Sequence, residues 1–496
     1  MTIEGVSGRT SYLGSSIINL KSQLDDLSQQ LASGKKTNTY SGLGVDSGVA
    51  TGLRAQLAGI TANNNTGTLL NTRINIANLS LQGISDASSQ VKGAAAGATL
   101  TLDNTGQTAG QKTAMASFTQ VIALLNTEVG GRYLFSGRAT DTPATQPADV
   151  ILNGTGTQAG LKQLIDERAQ ADGTTGLGRT VITSPTPTSV TIGEDAAGSP
   201  FGFKLSSITS TLTGSTVTGP AGSPPEMSVD LGATNPQDGD KVRFTFSLPD
   251  GTSETIVLTA TASTPVPAGS FAIGADSTAT ASNLNAALNT AVGTLANTSL
   301  VAASAVAASN DFFSSSPPQR VDTSTNPPVA LRNGTPTDTV SWYIGENGSD
   351  PARGTAVAGI DDSITVQYGA RANEEAFVAA LKNIAVYAAV TTNASNPNAN
   401  GQLTALNSRI VDNLAVHPGT QSIEDIQADF AGTQAAIKTA KDRQTQTGAV
   451  AQAMLDTIQG IDDNEVAAKI LALQTSLQAS YQTTASLYQM SLVKFL

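Results

Sequence analysis

An apolar stripe runs along each end of this chain, and the two stripes constrain everything between them. Near the start, Leu13, Ile17, Leu20, Leu24, Leu27 and Leu31 step by four, three, four, three and four, with Ser, Asn, Lys, Gln and Asp between them. That is a heptad seam on one face of a helix. Near the finish, Val466, Ile470, Leu473, Leu477, Tyr481, Tyr488, Leu492 and Phe495 keep one helix face apolar for roughly 30 residues, about 45 Å. Asp462 is placed to cap that helix, and Glu465 to reach back as the other half of a capping box. A helix with one apolar face must bury it. Two such faces at opposite ends are buried most economically on each other, or on copies of the same chain.

Between them the pattern changes twice. Ser33-Gly34-Lys35-Lys36-Thr37 and the following Gly/Ser-rich residues break the first helix. A second helical pattern starts near Asp46 or Ser47 and runs through Leu53, Leu57 and Ile60, across Asn63-Asn64-Asn65, to Val91. A third covers about 108–129, and Gly130-Gly131 stops it. Arg132-Tyr133-Leu134-Phe135-Ser136-Gly137 reads as strand or turn. From about 140 to 360, Pro, Thr, Ser, Gly and Ala dominate. There Val242, Phe244, Phe246 and Leu248 alternate, Pro249-Asp250-Gly251 turns the chain, and Ile256 and Leu258 alternate back as a hairpin. A short helix is expected near 281–295, with looser stretches around 185–225 and 314–338. After a strand at Ile364, Val366 and Tyr368, Asn373 is expected to cap a helix, and another covers about 422–450.

The expected architecture is mainly α at the ends, a long-helix, coiled-coil-like bundle, with a β-rich α+β insert in the middle. The expected divisions are an N-terminal assembly helix (1–45), the first half of a helical bundle (46–139), a β-rich variable insert of one or two domains (140–360), the second half of the bundle (361–460) and a C-terminal assembly helix (461–496).

Composition narrows the function. A net charge of −12 and the lack of any Lys/Arg-rich run argue against nucleic acid as a partner. Only 13% of residues are charged, so the surface is largely Ser, Thr, Asn, Gln and Gly, which suits close packing of copies. There is no Cys, a pattern common in exported bacterial surface proteins. Residues 1–20 lack a basic segment followed by an apolar run and a cleavage site. No 18 residues in a row are apolar, so no membrane span is expected. These features fit a cytoplasmic chain, or one exported by a route that reads an uncleaved N-terminus.

No catalytic or metal-binding constellation stands out, and no cofactor is expected. The one histidine, His417, sits in a Val-His-Pro-Gly turn with no nucleophile motif near it. A zinc-protease helix needs two histidines. Gly34-Lys35-Lys36-Thr37 lacks the earlier Gly and the preceding strand of a phosphate loop. Ser491 and Lys494 match a Ser-x-x-Lys spacing on the assembly helix. Asp361-Asp362 reads as a solvated turn, and Trp342 as core packing.

The terminal seams, the break at Ser33-Gly34-Lys35 and the polar C-terminal helix together resemble the flagellin superfamily, over about 130 residues at each end. Arg132–Gly137, Tyr481-Gln482-Thr483-Thr484 and Ser491–Leu496 are similar to motifs of its hook-associated junction branch. An Arg/Asn-rich signature and a Gln/Asn-rich tail, usual in filament flagellins, are missing. The resemblance implies export through the flagellar type III apparatus, terminal helices that order on assembly, and an outward-facing middle. It implies no enzymatic activity, an extracellular place on the flagellum, and as partners copies of itself, another hook-associated protein, flagellin and an export chaperone. A filament flagellin is the near alternative, and a secreted adhesin or enzyme the remote one.

Overall fold

The computed structural model describes residues 4–493, with side chains over 11–489. It divides into two compact units: Met1–Asn71, Ala358–Val366 and Gln434–Leu496 form the first, and Thr72–Val357 with Gln367–Thr433 the second. Helix dominates, accompanied by small sheets.

In chain order the helices are α1 (Glu4–Ser33), α2 (Ser47–Ala96), α3 (Ala109–Leu125), α4 (Ala148–Asn153), α5 (Leu161–Ala171), α6 (Ser277–Leu295), α7 (Val301–Phe313), α8 (Glu375–Ala389), α9 (Ala399–Asn413), α10 (Ile423–Gln459) and α11 (Asp463–Val493). The strands are β1 (Thr180–Thr183), β2 (Ser189–Glu194), β3 (Lys204–Ser210), β4 (Thr216–Ala221), β5 (Glu226–Asp230) and β6 (Lys241–Ser247), then β7 (Ser253–Thr261), β8 (Ser270–Ala272), β9 (Gln319–Val321), β10 (Leu331–Asn333), β11 (Val357–Asp361) and β12 (Ile364–Gln367).

The first unit is built from long helices. α2 continues unbroken through Asn63-Asn64-Asn65 for 50 residues. Thr66 and Thr68 there bond back to the carbonyls of Ala62 and Asn64, so their hydroxyls follow the helix instead of competing with it. α10 runs antiparallel to the first half of α2. Ala50 and Leu53 pack on Ala451 and Leu455. At Gly67 and Gly448, a side chain would meet Ile437 on one helix or Leu57 and Ile60 on the other. β11 and β12 pair as a small sheet tied to α10, where Gln444 Nε2 donates to the Ile360 carbonyl at 2.6 Å and Arg443 bridges to Asp361.

The second unit combines two sheets with a helical core. Strands order β1-β2-β5-β4 in one sheet and β3-β6-β7-β8 in the other. The expected hairpin is β6–β7, antiparallel, with Ser247 opposite Ser253. Gly251 takes φ +85°, and Asp250 accepts from the Thr252 amide. Both sheets and α6 share one core, with Val190, Phe203, Phe244, Phe246, Leu284 and Leu288 inside.

Through a π-turn at Ala296–Leu300, α6 continues into α7, whose residues 302–309 are buried on every side. The expected helix near 281–295 is thus the first half of a longer element. Ser277–Phe313 is long and apolar enough to cross a membrane by length and composition, with 56% of its most apolar window buried in the fold. The expectation of no span rested on unbroken apolar runs, which overlook a helix diluted with Ser, Thr and Asn.

The middle also departs from expectation elsewhere. The stretch 185–225 holds β2, β3 and β4, and 314–338 holds the pair β9–β10. Their strands are short and rich in Ser, Thr and Gly, so alternation is faint. Asn373 does not cap α8. The residue before α8 is Glu374, whose side chain bonds the Arg371 amide and pairs with Arg353. Arg132–Gly137 forms turns and isolated bridges. Its Phe135 is fully buried edge-on against Phe377, with ring centroids 5.6 Å apart.

One charged cluster is buried beside this core. Arg168 donates to Asp172 at 3.0 Å and to Asp311 at 2.6 Å, and its guanidinium lies 5.1 Å from the centre of the Phe201 ring. Burial pushes the Asp311 carboxyl up to about 6, against the pull of Arg168 and with the help of the Asp172 charge. Burial raises Asp172 as well.

Candidate assembly interface

The two helix breaks of the first unit meet each other. Gly34, at φ +65°, ends α1 in the left-handed region that favours glycine. Its carbonyl accepts from the Ile461 amide at 3.3 Å, and the Lys36 amide donates to Gln459 at 2.7 Å. Lys35 and Gly460 form an antiparallel bridge. The Lys36 ammonium donates to the carbonyls of Thr457 (3.4 Å) and Ile458 (3.2 Å), at the end of α10. A cation there complements the helix dipole and satisfies carbonyls that the helix cannot. Arg54 adds a bond to Gln459 Oε1 at 2.9 Å and one to the Tyr40 hydroxyl at 2.5 Å, and lies 5.0 Å from the centre of the Tyr40 ring. Lys36, which at the sequence level only brushes a phosphate-loop pattern, is a helix-end contact.

From this joint α1 and α11 run antiparallel and pack together. Leu13, Ile17, Leu20, Leu24 and Leu27 are half-buried, as are Ile470 and Leu473, while Val466 and Leu477 are buried. Leu31 is 41% exposed, and Gln30 takes the inward position beside it. Tyr481 and Tyr488 do not continue the seam, being 53% and 61% exposed. Ser480, Thr484 and Leu487 turn inward in their place. The inward set therefore steps 466, 470, 473, 477, 480, 484, 487, alternating four and three. The expected stripe followed apolar character through two steps of four and drifted off the face, because a 3.5-residue repeat places the next position at 480. Thr484 is accommodated because its hydroxyl donates to the Ser480 carbonyl at 2.7 Å. Leu492 and Phe495 lie outside the described side chains.

At the start of α11, Asp462 accepts from the amides of Asn464 (2.9 Å) and Glu465 (3.2 Å), a working cap. The reciprocal half of the box is absent, since the Glu465 carboxylate turns forward to Lys469.

The outer faces of this pair are mainly Ser, Thr, Gln and Asn, with a few apolar or aromatic side chains among them and charges confined to the ends near the joint. Tyr12, Ile18, Leu471, Tyr481 and Tyr488 are exposed. No Asp, Glu, Lys or Arg occurs from 470 to 489 or from 11 to 20.

The remaining sequence candidates are dispersed. His417 Nε2 lies 3.0 Å from the Asp412 carbonyl in an exposed turn. Asp361 pairs with Arg443. Trp342 is buried, with its indole N–H on the Phe313 carbonyl at 3.1 Å. Ser491 and Lys494 lie outside the described side chains. Among the described residues no group of three His, Cys, Asp or Glu side chains is disposed to hold a metal. No known family model matches the chain, and no curated protein gives a significant match.

Proposed function

We propose that this chain is a structural, non-enzymatic subunit of the bacterial flagellum. In this reading it resembles hook-associated protein 3, the subunit that joins hook to filament. The observation that carries the reading is the α1–α11 pair. It is a helix pair joined by one apolar seam, whose outward side is largely uncharged Ser, Thr and Gln over 11–20 and 470–489, with Tyr12, Ile18, Leu471, Tyr481 and Tyr488 exposed among them. On assembly, outward faces of neighbouring copies pack together, and the terminal pairs form a coiled-coil-like tube. The chain travels through the flagellar export apparatus with a chaperone on its terminal helices, and sits between another hook-associated protein and flagellin.

A filament flagellin shares this mechanism and differs in place and copy number. Immunogold electron microscopy of intact flagella, with antibody against residues 140–360, separates the two. Label confined to a spot just beyond the hook is expected. Label along the whole filament makes the chain a flagellin. Absence of label from flagella overturns both readings and favours a secreted surface protein.

A further inference from the structure

The second unit contains a cleft of about 970 Å³. Its walls include one face of α2 and a stretch of α8. α2 contributes Ser85, Ser88, Ser89 and Lys92, and α8 contributes Glu375, Ala379, Lys382 and Asn383. The α2 set falls at i, i+3, i+4 and i+7, a single helix face, while α8 also lines the cleft with Ala376, Val378 and Ala380. The exit of α7 supplies Asn310, Ser314 and Ser315, and Trp342 and Tyr343 complete the lining.

Two features set this cleft apart. The first is its cations. Arg168, Arg179, Arg320 and Arg353 each hold a carboxylate elsewhere in the unit, and Arg409 holds Asp250 at the cleft wall. Lys92 and Lys382 have no salt-bridge partner among the described residues. Lys382 is partly withdrawn from water, and burial depresses its pKa while Glu375 partly restores it. A partly desolvated ammonium with no salt-bridge contact, only the longer-range pull of Glu375, is held at a cost that an incoming anion reduces. The second feature is unused hydrogen bonding. The side chains of Ser85, Ser89, Asn310, Ser314 and Ser315 have no protein partner among the described residues.

The rim limits what can enter. Glu375 and Glu424 are exposed there, and Asp250 is already held by Arg409 at 2.6 Å. The carboxylates of Glu375, which also accepts from the Gln421 amide at 3.4 Å, and of Glu424 at the mouth disfavour a polyphosphate or nucleic acid, but not a ligand with one carboxylate and many hydroxyls. The volume falls in the range that binds small molecules.

We propose that this cleft binds an acidic sugar, its carboxylate on Lys382 and Lys92 and its hydroxyls on the serine face of α2. Trp342 is the chain's single tryptophan and lines the cleft, so its fluorescence reports on occupancy. The full chain is titrated with 3′-sialyllactose, with lactose and with inorganic phosphate.

A saturable change with sialyllactose, at least tenfold tighter than with lactose or phosphate, is expected. Lys382→Met should weaken it about tenfold, Lys382→Arg less. Lys382→Met should also melt no lower than the parent, since it removes a partly desolvated charge with no salt-bridge contact. Lys92→Met is the second variant, on the opposite wall. Equal response to sialyllactose and lactose, tighter binding of phosphate, unchanged binding by both methionine variants, or a lowered melting temperature for Lys382→Met overturns the proposal. The cleft shares no residue with the α1–α11 pair, so failure here leaves the assembly reading intact, and the reverse.

Discussion

Lys36 does its work 421 residues away in sequence, at the last carbonyls of α10. Lys36→Met should loosen the joint by about 1 kcal/mol, the scale of a helix-end charge and its hydrogen bonds. The check is amide exchange. Protection of the Lys36 and Ile461 N–H groups, which bridge the two breaks, should fall while the interior of α2 is unaffected. Asp311 offers a test in pH. Its folded pKa of about 6 lies above the ordinary carboxylate range, so the fold favours its protonated form. The stability this gives is complete below about pH 4 and is lost as pH rises through about 6, on the order of 3 kcal/mol. Asp311→Asn, which still offers Arg168 an acceptor, should flatten that part of the stability profile measured by denaturant unfolding between pH 4 and 7. A profile with the same slope as the parent would place the buried charge elsewhere.

Among the elements, the antiparallel pair separates two kinds of apolar residue that look alike in sequence. Leu24 faces the seam and Tyr488 faces outward. Leu24→Asp puts a charge into a half-buried apolar seam and should cost at least about 2 kcal/mol. It should unpair α1 from α11 and lower helicity, with Trp342 fluorescence unchanged, and under the proposed assembly role it should abolish polymerisation. Tyr488→Ser should keep the helical circular dichroism of the parent and, under the proposed assembly role, raise the protein concentration needed for polymerisation. Equal loss of helicity in both variants would remove the distinction between the faces. The long helices were legible because their apolar spacing persists over many turns, as in α1, α2 and α10. The β6–β7 hairpin was legible from its alternation and its Pro-Asp-Gly turn. β2 and β4 were not, because strands of Ser, Thr and Gly owe their burial to the partner strand rather than to their own pattern. Leu31, Tyr481 and Tyr488 were misplaced because counting apolar residues ignores that a tyrosine can keep its ring in solvent while Ser480 and Thr484 turn inward with hydroxyls satisfied by the helix backbone. The partnership of Lys36 with α10 left no local signal at all.

For the molecule as a whole, the division into two units predicts independent folding of the second. A fragment spanning 72–433 should unfold in one cooperative transition, with the tryptophan emission maximum of the full chain, since Trp342 packs on Phe313 and Tyr343 within that unit. A fragment that lacks a cooperative transition would show that the second unit borrows its stability from the first. The pairing of the two breaks also has a consequence in time. The ribosome adds roughly 5–20 residues each second, so the 421 residues between Lys36 and its partner take about 20–80 s to synthesise. Throughout that interval the leading stripe, Leu13 to Leu27, has been made and its partner has not. Until α11 is made, the apolar face of α1 has no intramolecular partner to cover it.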